Sequence, residues 1–284
     1  MSTEFTTLID VAALRRALAS PTPPLLLDSR FDLTDPAAGE RDWRAAHLPA
    51  SHYVHLERDL CAPPSGHNGR HPLPGREDFA RTLGRLGVTP AAQVVVVDAP
   101  PGIYAARLWW MLRWAGHRAV AVLDGGVPAW TADGGALVAD PPAEQAAAPY
   151  PLGAPLVQTV QANELQRALG TWRLIDARAA ARFRGDVEPL DARAGHIPGA
   201  VNRFFADNLD AQGRFKPPAR LREEFTALVG LHSLDATVHS CGSGVSACHN
   251  LLAMAVAEMP GARLYPGSWS EWSADPTRPV AQGG

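Results

Sequence analysis

The chain repeats itself, and that repeat limits its fold more than any other feature. PLLLDSR at 24–30 returns as WRLIDAR at 172–178. AHLPASHYV at 46–54 returns as GHIPGAVNR at 195–203, QVVVVDAPPG at 93–102 as ATVHSCGSG at 236–244, and VLDGGVPAW at 122–130 as LYPGSWSEW at 264–272. The offsets are 148 for Asp28/Asp176, 149 for His47/His196, 143 for Asp98/Cys241 and 142 for Trp130/Trp272. Four landmarks in one order at a nearly fixed offset describe two homologous domains in tandem. A length of 284 residues suits two domains. The expected boundaries are 1–140 and 156–284, joined by a Pro- and Ala-rich linker at 141–155.

Inside each half, short aliphatic runs alternate with helix-length segments, so each domain should be α/β with a mostly parallel central sheet flanked by helices. Val94–Val97 is a continuous apolar run, as expected of a strand buried on both faces. Hydrophobic residues make up 46% of the chain, ample for two packed cores. The net charge of −3 provides no positive field for nucleic acid or a membrane surface. No apolar run is long enough to span a bilayer, and 1–10 lack the basic-then-apolar order of a signal peptide, so a cytoplasmic location is expected.

Three cysteines, Cys61, Cys241 and Cys248, do not make a disulfide framework and raise the question of a reactive thiol. Cys241 closes an apolar strand pattern and is followed by Gly242, Ser243 and Gly244, then by a helical stretch. A strand–loop–helix turn of this kind points backbone N–H groups at one centre, and the glycines let it curl tightly. A thiolate, or an anion carried on its sulfur, would be stabilised there. The equivalent position in the first half is Asp98, followed by Ala99, Pro100 and Pro101, with no comparable nest expected; one active and one inert domain follow. Cysteine-dependent phosphate hydrolysis needs an arginine six residues beyond the cysteine, where Ala247 stands. His239 reads as a core histidine, Cys248 as a packed helical residue, and Lys216, the sole lysine, lies in a loop unsuited to Schiff-base chemistry. His67 and His71 have a helical metal-ligand spacing, but the surrounding Gly and Pro argue against a helix, and no metal site is expected.

With GHIPGA, CGSGVSA and GSWSEW in place, the tandem resembles the two-domain rhodanese family of sulfurtransferases, and the loop CGSGVSA is similar to that of its 3-mercaptopyruvate-using members. The resemblance spans about 8–279. It implies two rhodanese-like domains and covalent transfer of sulfane sulfur. Cys241 takes sulfur from a small donor as a persulfide and passes it to cyanide or a thiol, a thioredoxin-like protein among the candidate acceptors, with no cofactor. It also implies that Arg182, with Arg184 as its weaker neighbour, binds the anionic donor, and that Gly242, Gly244, Val245 and Ser246 line it. A relay of Ser243, His71 and Asp59, the last two from the first domain, would polarise the donor carbonyl or protonate the departing enolate. One departure stands out: Glu188-Pro189 is followed by Leu190, where mercaptopyruvate enzymes often carry a second arginine, and Arg193 is the replacement at hand. Gly242 and Ser243 stand where thiosulfate enzymes more often place basic residues, so little positive charge is expected beside the cysteine. Thiosulfate as donor, and a persulfide carrier serving a protein partner, are the alternative readings.

Overall fold

The computed structural model describes residues 4–143 and 148–284; within the linker expected at 141–155, residues 144–147 lie outside the described residues. Each half of the chain forms a five-stranded, all-parallel sheet. The first consists of β1 (Leu8–Ile9), β2 (Leu25–Asp28), β3 (His52–Tyr53), β4 (Val94–Val97) and β5 (Val120–Leu123), in the order β1-β5-β4-β2-β3. The second consists of β6 (Gln158–Thr159), β7 (Arg173–Asp176), β8 (Val201–Asn202), β9 (Thr237–Ser240) and β10 (Arg263–Leu264), in the corresponding order β6-β10-β9-β7-β8.

The central strands read as expected. All four valines of β4 are fully buried, and so is every residue of β9, because helices cover both faces of a parallel sheet. The helices that follow them, Ile103–Trp114 and Ala247–Val256, are buried along most of their length. A helix apolar all round belongs inside a core rather than at its surface.

The repeated motifs serve the scaffold. In the first unit Arg30 forks onto both carboxylate oxygens of Asp28 and donates to the Ala46 carbonyl. In the second, Arg178 makes the same bonds to Asp176 and to the Gly195 carbonyl. His47 and His196 each bring Nδ1 to a backbone carbonyl, at 2.6 Å on Trp43 and 2.8 Å on Phe183. A buried bidentate pair fixes where the chain leaves the strand; removing one partner strands a charge, at a cost of about 3–5 kcal/mol.

Two compact units emerge, and their boundaries differ from the sequence expectation. The first takes Met1–Cys61, Pro74–Leu156 and Ala211–Arg214; the second takes Ala62–Leu73, Val157–Asp210 and Phe215–Gly284. The stretch Ala62–Leu73, expected in the first domain, thus packs with the second. Among the described residues, no helix is long and apolar enough to cross a membrane, and no three His, Cys, Asp or Glu side chains gather as a metal site.

Candidate functional site

The strand order sets the site. In the second sheet the chain moves one way from β7 to β8 and the other way from β9 to β10, so a switch point lies between β7 and β9. Open parallel sheets bind ligands in the crevice beyond the carboxyl ends of such strands. Cys241 follows β9 directly, and the helix Ala180–Arg184 follows β7, so the cysteine loop and Arg182 flank this crevice.

Cys241 is buried, and its Sγ accepts the Gly244 N–H at 3.1 Å. Gly244 has φ +77°, and a Cβ there would lie 2.2 Å from the Pro266 carbonyl oxygen, so only glycine allows the loop to turn back on the sulfur. The closing segment clasps the loop. The N–H groups of Trp269 and Ser270 donate to the carbonyls of Cys241 and Gly242 at 2.9 Å each. The Cys241 N–H donates to Ser268 Oγ at 3.0 Å, and that hydroxyl donates to the Tyr265 carbonyl at 2.9 Å. Val245 is buried, and Ser246 caps the following helix with its backbone alone.

Ser243 and His71 meet: Ser243 Oγ lies 2.7 Å from His71 Nδ1, and both side chains are buried. The residues before His71 explain its position. Gly69 has φ +84°, and a Cβ there would sit 2.9 Å from the Gly267 carbonyl oxygen, while the Arg70 N–H donates to Ser270 Oγ at 3.1 Å. The 69–71 backbone is therefore seated on the same segment that clasps the cysteine loop. Asp59, the third expected member of the relay, ends the short helix Leu56–Asp59 in the first unit. Its carboxylate accepts the His55 N–H at 2.7 Å and the Arg85 guanidinium.

The arginines sort differently from expectation. A Cβ on Gly242 would lie 2.9 Å from an Arg70 guanidinium nitrogen and 3.4 Å from one of Arg182, so two cations stand over the residue after Cys241. Arg182 pairs with Glu188 at 2.7 Å and Asp191 at 3.3 Å, and Arg70 pairs with Asp191. Burial pushes the Asp191 carboxyl above its ordinary range, against the pull of Arg70 and Arg182. Arg184 does not share this cluster; it forms an exposed pair with Asp186 at 2.7 Å. Arg193 does not replace the missing arginine either. Its guanidinium donates to the carbonyls of Ser273, Arg278, Trp272 and Asp275 at 2.8, 3.0, 3.1 and 2.6 Å, closing the end of the helix Ser268–Ala274. Leu190 is exposed. Where little positive charge was expected beside the cysteine, two guanidiniums arrive from distant sequence, and Glu188 and Asp191 offset them. Arg70 was missed; its one sequence signal was its place immediately before His71.

The first unit corrects another expectation. Its loop does gather N–H groups: those of Ala99, Tyr104 and Ala105 donate to the Asp98 carboxylate at 2.7, 3.1 and 3.1 Å. The nest exists there and is filled by the chain's own carboxylate, which burial pushes up to about 7. His239 is a core residue as expected, its Nε2 3.0 Å from the Met254 sulfur, and burial pushes it down to about 3.

A tandem of parallel α/β units, the second presenting a thiol from a glycine-bounded loop at the sheet's carboxyl edge, defines a class of sulfur-handling proteins. The chain belongs to the rhodanese family: the model of the rhodanese-like domain matches it twice, at residues 10–133 and 161–275. A Pseudomonas aeruginosa protein named "Probable 3-mercaptopyruvate sulfurtransferase" is 49% identical, covering 91% of this chain and 92% of that one. The human 3-mercaptopyruvate sulfurtransferase is 36% identical, covering 92% and 89%, and the chicken thiosulfate sulfurtransferase 34%, covering 92% and 86%. SseA from Escherichia coli, a 3-mercaptopyruvate sulfotransferase of solved structure, superposes with a TM-score of 0.76 at 30% identity, covering 93% of this chain and 99% of that one.

Proposed function

We propose that this chain transfers sulfane sulfur from 3-mercaptopyruvate, through a persulfide on Cys241, to cyanide or a thiol. The observation that carries the choice of donor is the 2.7 Å contact between Ser243 and His71, two residues beyond the nucleophile. The Cys241 thiolate attacks the donor sulfur, the carbon–sulfur bond breaks, and its electron pair leaves as the enolate of pyruvate. The attacked sulfur stays on Cys241 as the outer atom of a persulfide. The Ser243 hydroxyl, backed by His71, polarises the donor carbonyl and delivers a proton to the enolate. No step is assigned to Asp59. The Gly244 N–H, already 3.1 Å from Sγ, offsets the charge on the sulfur. An acceptor nucleophile then takes the outer sulfur and the thiolate returns. The two half-reactions share one enzyme form, so ping-pong kinetics are expected.

Within this reading Arg182 binds the donor's anionic end, and the first unit, with Asp98 in place of the thiol, carries no chemistry of its own. A thioredoxin-like dithiol protein is the protein acceptor we favour, because a persulfide is discharged by thiolate attack. The cytoplasm is the compartment we assign, because all three cysteines are free thiols and the cycle depends on one staying reduced. Thiosulfate is the second reading, favoured by the two guanidiniums over Gly242, which suit a dianion. Intact-mass measurement after donor treatment should show one added sulfur on the wild type and none on Cys241→Ser, which should also lack turnover. Turnover by the Cys241→Ser variant would overturn the assignment.

A further inference from the structure

We propose that Arg70 is a second donor-binding residue, forming with Arg182 a paired guanidinium clamp over Gly242 that grips the donor's anionic end. The proposal rests on the sulfurtransferase reading and names the residue that fills the role left vacant at Leu190.

Placement is the first argument. Of the arginines considered for this role, Arg184 is spent on a surface pair and Arg193 on four backbone carbonyls. Arg70 and Arg182 both reach within a methyl group's distance of Gly242, next to the nucleophile. Layering is the second. The acids that hold the pair are deeply buried, with side chains of Glu188 and Asp191 at 3% and 5% exposure, while those of Arg182 and Arg70 keep 20% and 31%. The carboxylates thus hold the guanidiniums from the buried side, and both guanidiniums keep nitrogens close to Gly242. An arginine has five N–H donors, so these pairs leave donors for a ligand. Rigidity is the third. Gly69 and Ser270 fix the Arg70 backbone to the segment that clasps the cysteine loop, so clamp and nucleophile move as one piece. Two planar forks side by side suit a carboxylate or an oxyanion of sulfur, and two buried acids balance their charge, which moderates the grip.

The test measures kcat and KM for 3-mercaptopyruvate and for thiosulfate, and the calorimetric affinity for pyruvate, in wild type, Arg70→Ala and Arg70→Lys. Thermal melts serve as the fold control. Loss of a charge-assisted contact should raise KM for both donors, and Kd for pyruvate, by about ten- to hundredfold, with kcat within about threefold. Arg70→Lys should fall between wild type and alanine, because it keeps the charge and loses the fork. A folded Arg70→Ala enzyme with KM and pyruvate affinity within about twofold of wild type would overturn the clamp, and so would a fall in kcat at unchanged KM. If Arg70→Ala does not fold, Arg70→Gln and Arg70→Lys decide on the same readouts. The donor reading fails separately: a higher kcat/KM for thiosulfate in the wild type refutes it, and the clamp is then judged on the KM for thiosulfate.

Discussion

Replacing Ser243 with alanine should separate the two sulfur donors. The hydroxyl sits 2.7 Å from His71 Nδ1, with both side chains buried, so little water is available to take its place. In the proposed cycle it is the donor that meets charge developing on the mercaptopyruvate oxygen. Removing one preorganised donor of that kind costs roughly 100- to 1000-fold in kcat, or about 3–4 kcal/mol. Thiosulfate has no carbonyl to polarise and releases sulfite without protonation at carbon, so its turnover should fall by no more than about threefold. The ratio of kcat values for the two donors should therefore shift by about two orders of magnitude. One buried hydrogen bond is worth about 1 kcal/mol of stability, so the variant should remain folded. Pyruvate release and thiocyanate formation, each with cyanide as acceptor, give the two rates. His71→Ala should reproduce the loss, and the double variant should be little worse than either single one, because residues acting as a unit are not additive. Equal losses with both donors, or additive losses for Ser243 and His71, would refute the relay.

Asp98→Ala should leave turnover within about threefold, and a hundredfold loss in a folded protein would show chemistry in the first unit. The same variant should change the pH dependence of stability. Burial pushes the Asp98 carboxyl up to about 7, so its contribution is fully present below the ordinary carboxyl range and is lost as the pH rises through about 7. Between about pH 5 and 8 the wild type should lose about 2–3 kcal/mol through this group, and denaturant titrations of Asp98→Ala should lack that component. Arg193→Ala should lower Tm by roughly 5–10 °C by uncovering the helix-end carbonyls, with KM within about twofold; a large KM rise at unchanged Tm would return Arg193 to the donor site.

The fold was legible because it rests on local pattern. Four consecutive valines, the recurring Asp-x-Arg and His-x-Pro stretches, and the offset of 148 between Asp28 and Asp176 are properties of the chain read in order. They report strands, strand exits and duplication without reference to anything distant. The cysteine loop was legible for the same reason: Gly242 and Gly244 beside Cys241 state a backbone conformation locally.

The composition of the site depended on contacts between residues far apart in the chain. Ser243 and His71 are 172 residues apart, and Arg70 and Asp191 are 121 apart. No periodicity records that Gly69 fits against the Gly267 carbonyl and so carries Arg70 and His71 into the second unit. Arg193 and Arg70 look alike as letters. The helix-end carbonyls around one make it a structural tie, and the closeness of the other to Gly242 is what carries its proposed role at the donor. Asp98 likewise looked like the residue of an abandoned loop, until folding showed three N–H groups converging on its carboxylate. Sequence order determined the scaffold and the cysteine loop, because backbone geometry is written in neighbouring residues. Only tertiary packing decided which charges surround that loop, because a guanidinium's role is set by the partners that reach it.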